Sequence, residues 1–142
     1  MGKCYNSIVV KAPANKVWAT IRDFHDLSWA AALDLKLDKK GDKKGDQIGA
    51  QRSLNDAFQE TLLALDETSR SFSYSIDDGP GPVAKDQIRN YVGTVRVSAI
   101  TEDDSAFVEW ISRYDSANDS AVGELCNPIY QGALKALRDH LA

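Results

Sequence analysis

The sequence predicts an α+β domain in which a curved antiparallel sheet of about seven strands wraps around a long C-terminal helix. Apolar residues recur at steps of three and four between Asp119 and Leu141, which is typical of one buried helix face. Before this helix, runs of alternating apolar and polar residues indicate strands with one buried face. The chain shows no internal repeat and no linker, so residues 1–142 are interpreted as a single domain.

The C-terminal helix carries the clearest pattern in the chain. Ser116 with Asp119 predicts a capping box at its start. Pro128 lacks a backbone donor, so we expect a kink there or the start of a second helical stretch. The apolar face comprises Val122, Leu125, Cys126, Ile129, Tyr130, Ala133, Leu137 and Leu141.

The N-terminal part predicts one strand followed by two short helical segments. Residues 3–11 are rich in β-branched side chains, and Pro13 then opens a helix at the first helical position, where proline is tolerated. Residues 23–29 are expected to end this helix and form a second short turn. The buried stripe comprises Val17, Trp18, Ile21 and Phe24.

Six further strands are predicted as a meander. Turn residues separate them, including a loop at 39–46 and an irregular loop at 77–87 that holds two glycines and two prolines. The side chains expected to face inward are Leu33, Leu35, Leu37, Ile48, Ala50, Arg52, Leu54, Phe58, Glu60, Leu62, Ala64, Phe72, Tyr74, Ile76, Tyr91, Gly93, Val95, Val97, Val108, Trp110, Ser112 and Tyr114.

Two charged residues stand out on this inner face. A turn centred on Asp56 places Arg52 directly opposite Glu60. A buried lone charge is costly, whereas a hydrogen-bonded pair is tolerated. Two interpretations stay open: a structural ion pair near the sheet rim, or a pair that faces a partly wet cavity and meets a polar group of a ligand.

Large and small residues are mixed on the inner face. Tyr74, Tyr91, Trp110 and Tyr114 are expected in a core or on a ligand platform, but Gly93, Ser112 and Ala133 lie among them. Small residues on both the sheet and the helix leave space, so the sequence predicts an apolar cavity with a few convergent polar groups.

The order and spacing of these motifs resemble the polyketide cyclase/dehydrase and lipid-transport proteins of the SRPBCC, START-like superfamily. The resemblance implies a helix-grip fold, which is shared with the major birch pollen allergen and the plant abscisic acid receptors. The motifs that carry it are Ala12-Pro13, Val17-Trp18, Ile21-Arg22-Asp23-Phe24, Trp29, Ile48-Gly49-Ala50 with Arg52, Glu60 and Leu62 with Asp66, Tyr74-Ser75-Ile76, Asn90-Tyr91, Gly93-Thr94 and Trp110.

The resemblance also implies pocket positions. By similarity to the hormone receptors, the pocket is lined by Glu60, Tyr91, Gly93, Trp110, Leu125, Ile129 and Ala133, and a gate loop is formed by Gly79, Pro80, Gly81, Pro82 and Val83. With the inner-face residues, the predicted ligand-binding set also includes Trp29, Arg52, Leu62, Tyr74, Ser112 and Tyr114. No base stands at residues 30–32, where the receptors bind the hormone carboxylate, which disfavours an abscisic acid receptor.

Composition excludes several other classes. The net charge of −4 gives no basic surface for nucleic acid, and no apolar run is long enough for membrane insertion. Cys4 and Cys126 are expected to be reduced thiols in a cytoplasmic protein. His25 and His140 are far apart in sequence, so neither a metal site nor a cofactor is expected. A homodimer is compatible with the sequence.

Three functions remain at this stage. The leading hypothesis is a carrier or sensor that binds a small hydrophobic molecule, such as a lipid or polyketide. The alternative is a cyclase or dehydratase with catalytic candidates Glu60, Arg52 and Tyr91, in which Glu60 is the acid or base, Arg52 binds an enolate oxygen and Tyr91 or Tyr74 donates a proton. The third is a scaffold with a filled core that acts through a protein partner.

Overall fold

The protein folds into one seven-stranded antiparallel sheet and a long C-terminal helix, as predicted. This computed structural model describes the backbone of residues 1–142 and every side chain except those of Lys39 and Lys40. The strands are β1 (Gly2–Val10), β2 (Leu37–Lys40), β3 (Gln51–Leu54), β4 (Phe58–Asp66), β5 (Ser71–Asp78), β6 (Ile88–Ile100) and β7 (Ser105–Ser116). The helices are α1 (Ala14–Ile21) and α2 (Asp119–His140), with short 3₁₀ helices at Ser28–Leu33 and Gly81–Val83.

The sheet order is β1-β7-β6-β5-β4-β3-β2, so the first strand pairs with the last and the others follow as a meander. Helix α2 contacts β1 and β7 on one side and the 3₁₀ helix Ser28–Leu33 on the other. The core therefore lies between the concave face of the sheet and α2. Among the described residues, no helix combines the length and the apolar character needed to cross a bilayer.

Helix α2 buries Val122, Cys126, Tyr130, Ala133 and Leu137 of the predicted stripe, but Leu125 and Leu141 are half-buried, Ile129 is 40% exposed, and Leu134 is buried although it was not predicted. The cap is Asn118, whose Oδ1 accepts from the backbone N–H of Ala121 at 3.2 Å, so the predicted capping box of Ser116 with Asp119 is wrong. Ser116 instead accepts from the backbone N–H of Asn118 at 3.0 Å. The helix continues through Pro128, so no second helical stretch begins there.

The hairpin between β3 and β4 has the register that the sequence predicted. Asn55 and Asp56 both adopt left-handed backbone angles, with φ of 55° and 53°, and Leu54 pairs with Phe58, so the hairpin loop consists of the three residues 55–57. Arg52 consequently lies opposite Glu60. This turn fixes which two side chains meet on the inner face.

The region before this hairpin differs from the prediction. Leu33 ends a 3₁₀ helix, and Asp34 follows in the left-handed conformation (φ 52°), so no extended strand runs through Leu33 and Asp34, and β2 begins at Leu37. Strand β3 likewise begins at Gln51, because Gly49 has φ of 91°, and Ile48 is 52% exposed rather than inward-facing.

A β-bulge changes the inner face of β4. The register shifts between Leu62 and Ala64, so Ala64 is exposed and Leu65 packs on the core, opposite to the predicted alternation. The predicted loop at 39–46 also begins later, since β2 extends to residue 40. Its Lys43 and Lys44 are exposed, as a solvated loop requires, and the side chains of residues 39 and 40 lie outside the described residues.

The cap of α2 can be tested directly. Asn118→Ala removes the acceptor for the N–H of Ala121, so we expect a loss of about 1 kcal/mol in the free energy of unfolding, measured by urea denaturation. Asn118→Ser keeps a capping oxygen and should stay near the wild type. Equal losses in both variants would show that the capping bond does not contribute.

Candidate functional site

A cavity of about 300 Å³ lies between the concave sheet, the 3₁₀ helix Ser28–Leu33 and α2. Most of its lining is apolar, and Arg52 and Glu60 are the charged side chains among the described lining residues. The lining consists of Leu27, Trp29, Leu33, Leu35, Arg52, Leu54, Asn55, Phe58, Glu60, Tyr74, Ile76, Trp110, Cys126, Pro128, Ile129, Tyr130, Gly132 and Ala133.

The predicted site residues divide into two groups. The structure places seven of them in the cavity lining: Trp29, Arg52, Glu60, Tyr74, Trp110, Ile129 and Ala133. Six others do not line the cavity, namely Leu62, Tyr91, Gly93, Ser112, Tyr114 and Leu125. All of these except the half-buried Leu125 are buried in the packed interior. A side chain that faces inward therefore does not necessarily face the cavity.

Gly93 shows why this distinction was not visible in sequence. It pairs with Tyr74 on β5, and a Cβ at residue 93 would lie 2.4 Å from Tyr74 Cζ. The tyrosine ring has already filled the space that the glycine leaves. Tyr91 and Tyr114 fill the neighbouring region by stacking on each other, with ring centroids 5.6 Å apart.

The predicted gate loop also lies away from the cavity lining. Val83 is completely buried, and none of Gly79, Pro80, Gly81, Pro82 or Val83 is among the described lining residues. Half-buried or exposed side chains at the opening are instead supplied by Leu33, Leu35, Leu54, Phe58 and Ile129. The mouth therefore lies beside the β3–β4 hairpin.

Asn55 connects two segments at the mouth of the cavity through hydrogen bonds. Its backbone N–H donates to the Lys36 carbonyl at 2.8 Å, and its Oδ1 accepts from the Lys36 N–H at 2.7 Å. These two bonds tie the segment that follows the 3₁₀ helix to the hairpin turn. They position Leu35 against the cavity.

Arg52 and Glu60 form a buried ion pair in the cavity wall. Arg52 Nε donates to Glu60 Oε1 at 2.8 Å, and the two side chains are only 5% and 6% exposed. Arg52 Nη1 also donates to the Phe24 carbonyl at 3.0 Å, and the guanidinium lies 3.7 Å from the centre of the Phe24 ring. The pair is therefore structural and also borders the cavity, while its contact with a polar group of a ligand stays a prediction.

Burial raises the pKa of Glu60 above its ordinary value, although the Arg52 cation opposes this shift. The desolvation of the carboxylate is thus only partly offset by its partner. A polar or charged group that enters the cavity should therefore change the pKa of Glu60.

Four aromatic side chains form a hydrogen-bonded network at the cavity floor. Trp110 Nε1 donates to the Tyr74 hydroxyl at 2.9 Å, which in turn donates to the Tyr130 hydroxyl at 2.9 Å. The hydroxyls of Tyr130 and Tyr91 are also hydrogen-bonded, and Trp110 stacks on Tyr130 with centroids 4.5 Å apart. Burial raises the pKa of all three tyrosines, so each remains protonated near neutral pH.

Several lining residues were missed in the sequence-based site. Tyr130 lies on the helix stripe between Ile129 and Ala133, so its spacing contained the necessary signal. Phe58 is directly opposite Leu54 in the hairpin. Phe24 contacts the Arg52 guanidinium with its carbonyl and its ring, and nothing in the sequence predicts this contact. Cys126 also borders the cavity, as an unpaired thiol whose pKa burial raises to about 11.

A curved sheet around a long helix, with a largely apolar cavity between them, defines a helix-grip domain of the SRPBCC superfamily. This is a hydrophobic ligand-binding fold. The chain belongs to the polyketide cyclase/dehydrase and lipid-transport family, whose sequence profile matches residues 1–142. The family resemblance proposed from the motifs is confirmed.

Solved structures agree with this assignment. A protein from Nitrosospira multiformis is 42% identical, with a TM-score of 0.93 over 99% of this chain and 96% of that one. Major latex-like protein 151 from Panax ginseng shares the fold at 16% identity, with a TM-score of 0.77 over 99% and 97% of the two chains. Norcoclaurine synthase from Thalictrum flavum shares it at 17% identity, with a TM-score of 0.71 over 98% and 83%. No curated protein sequence matches this chain.

Two glycine substitutions test the packing behind the cavity. Gly93→Ala drives a methyl group into the Tyr74 ring, so we expect a loss of about 1–3 kcal/mol in the free energy of unfolding. Gly123→Ala is the matched control, because its Cβ would meet only Asn127 Nδ2 at 3.4 Å and alanine favours the helix by about 0.5–1 kcal/mol. Chemical denaturation measures both. A neutral Gly93→Ala would mean that the space is empty.

The ion pair predicts a pH effect in the variant Arg52→Met. Without the cation the pKa of Glu60 rises further, because burial then acts unopposed. The folded state then binds a proton more tightly than the unfolded state, whose glutamate pKa is about 4.3. We expect the free energy of unfolding to fall as the pH is raised from 5 to 8.

The double variant Arg52→Met/Glu60→Gln is the control for this measurement. It has the same packing change at residue 52 but no carboxyl group to titrate. Denaturation curves at several pH values should therefore differ in slope between the two variants. Parallel pH profiles would contradict the buried position of Glu60.

Proposed function

We propose that this protein binds and carries a small, largely hydrophobic molecule with one or two polar groups. The observation that carries the proposal is the cavity of about 300 Å³, whose apolar wall contains one buried ion pair. Its volume lies at the lower end of the range of about 300–1,000 Å³ for ligand pockets. A compact molecule fits this space better than a long lipid.

Apolar and charged residues of the cavity wall have different roles in the proposed binding. Leu27, Leu33, Leu35 and Ile76 supply apolar contact, while Arg52 with Glu60 orients the polar part of the ligand. The filled-core scaffold hypothesis needs a core without space, so the cavity argues against it. A cytoplasmic location is part of the proposal, and it accords with the unpaired Cys4 and Cys126.

Acid–base catalysis is the second candidate, and the raised pKa of Glu60 favours it. In such an enzyme Glu60 would transfer the proton and Arg52 would stabilise the developing oxyanion. Tyr91 is a weaker candidate than the sequence indicated, since its hydroxyl bonds to Tyr130 and does not line the cavity. Glu60→Gln separates the two functions: a carrier keeps a weakened ligand, whereas an enzyme binds its substrate without turnover.

A cavity-filling variant tests the binding function. Ala133 lines the cavity, so Ala133→Leu should occupy the space and reduce ligand retention at least about tenfold, with little change in stability. Ala136→Leu is the matched control, because this half-buried residue on the same helix does not line the cavity. Native mass spectrometry of freshly purified protein, followed by extraction, measures what each variant retains.

The possible results are distinct. A small molecule retained by the wild type and Ala136→Leu but not by Ala133→Leu supports the proposal. Equal retention by all three proteins would place the ligand elsewhere. Strong destabilisation by Ala133→Leu would show that the cavity is not available for occupation.

A further inference from the structure

The polar groups around the cavity differ in how many of their hydrogen bonds are made within the protein. The groups with unused bonding capacity indicate which polar group a ligand should have. Most donors are already used within the protein. Trp29 Nε1 donates to the Asp26 carbonyl at 3.1 Å, and Trp110 Nε1 donates to the Tyr74 hydroxyl at 2.9 Å. Tyr74 itself donates to Tyr130. A ligand therefore finds few free donors among the aromatic side chains.

Glu60 retains an acceptor that no described residue uses. Its Oε1 accepts from Arg52 Nε, but no described residue donates a hydrogen bond to its Oε2. The side chain is only 6% exposed, so bulk water does not readily replace a partner. Oε2 is not among the fully buried atoms of the described residues that lack a partner, so it keeps some access from the cavity, and a ligand that supplies a donor there gains a charge-assisted hydrogen bond.

Charge determines which donor fits. Arg52 and Glu60 neutralise each other, and they are the charged side chains of the described lining. A ligand carboxylate would add a second anion beside Glu60 in an apolar cavity, where an unpaired charge is strongly disfavoured. A hydroxyl group adds no charge, and it can donate to Glu60 Oε2 while accepting from an N–H of Arg52 that Glu60 and Phe24 leave free.

We infer that the cavity selects an uncharged, largely apolar molecule whose hydroxyl group donates to Glu60 Oε2, and that it rejects the corresponding carboxylate. This inference rests on the proposed binding function and specifies the chemical class of the ligand. Simple alcohols and phenols belong to this class, whereas fatty acids and other apolar anions do not.

Three probes of one size test this selectivity: 2-naphthol, 2-naphthoate and 2-methylnaphthalene. At pH 7 the first is a neutral donor, the second is an anion and the third is purely apolar. Equilibrium dialysis gives the dissociation constant of each. We expect 2-naphthol to bind about tenfold or more tightly than either of the others, which is the gain of one charge-assisted hydrogen bond.

Two variants show whether Glu60 is responsible. Glu60→Gln keeps the shape but replaces the charged acceptor, so the preference for 2-naphthol over 2-methylnaphthalene should shrink to a few-fold or less. Glu124→Gln is the matched control, since Glu124 is exposed on α2 and outside the cavity lining, and it should leave all three constants unchanged. If Glu60→Gln fails to fold, the order of the three dissociation constants for the wild type still tests the predicted selectivity.

The outcomes separate the inference from the proposed function. Equal binding of the three probes, or tightest binding of 2-naphthoate, would overturn the inference and leave the binding function in place. If none of the probes bound, the proposed function itself would be overturned.

Discussion

Burying a guanidinium and a carboxylate among leucines and aromatic rings is unfavourable unless the two groups meet in good geometry. The β3–β4 hairpin provides that geometry by its register alone, because the left-handed Asn55 and Asp56 make a turn that leaves Arg52 opposite Glu60. Phe24 then completes the environment of Arg52 with a carbonyl and a ring face. A three-residue loop at the mouth of the cavity thus determines the charged part of its wall.

Local patterns predicted those parts of the fold that depend on local physics. The helix stripe, the order of the strands and the pairing of Arg52 with Glu60 follow from periodicity and from one turn. The prediction failed where the backbone departs from a regular period, as at the left-handed Asp34 and at the bulge after Leu62. The residues at these two positions do not mark the irregular backbone, and the alternation of apolar and polar residues around them predicts a regular strand.

The site was harder to predict than the fold because empty space is a property of tertiary packing. Gly93 and Ala133 both appeared to leave room, yet the Tyr74 ring occupies the space at Gly93, while Ala133 borders the cavity. The difference depends on the rotamer of a tyrosine on the neighbouring strand. The sequence places both residues on the correct face, and only the packed structure shows which of them a ligand can reach.

Within the cavity, the aromatic network and the ion pair have different capacities for recognition. Tyr74 and Tyr130 are joined to each other and to their neighbours, so their hydroxyls stabilise the floor and have little bonding capacity left. Glu60 has one partner for two oxygens. Because no described residue donates to Oε2, a donor on the ligand gains most there, and we expect polar discrimination to be concentrated at Glu60.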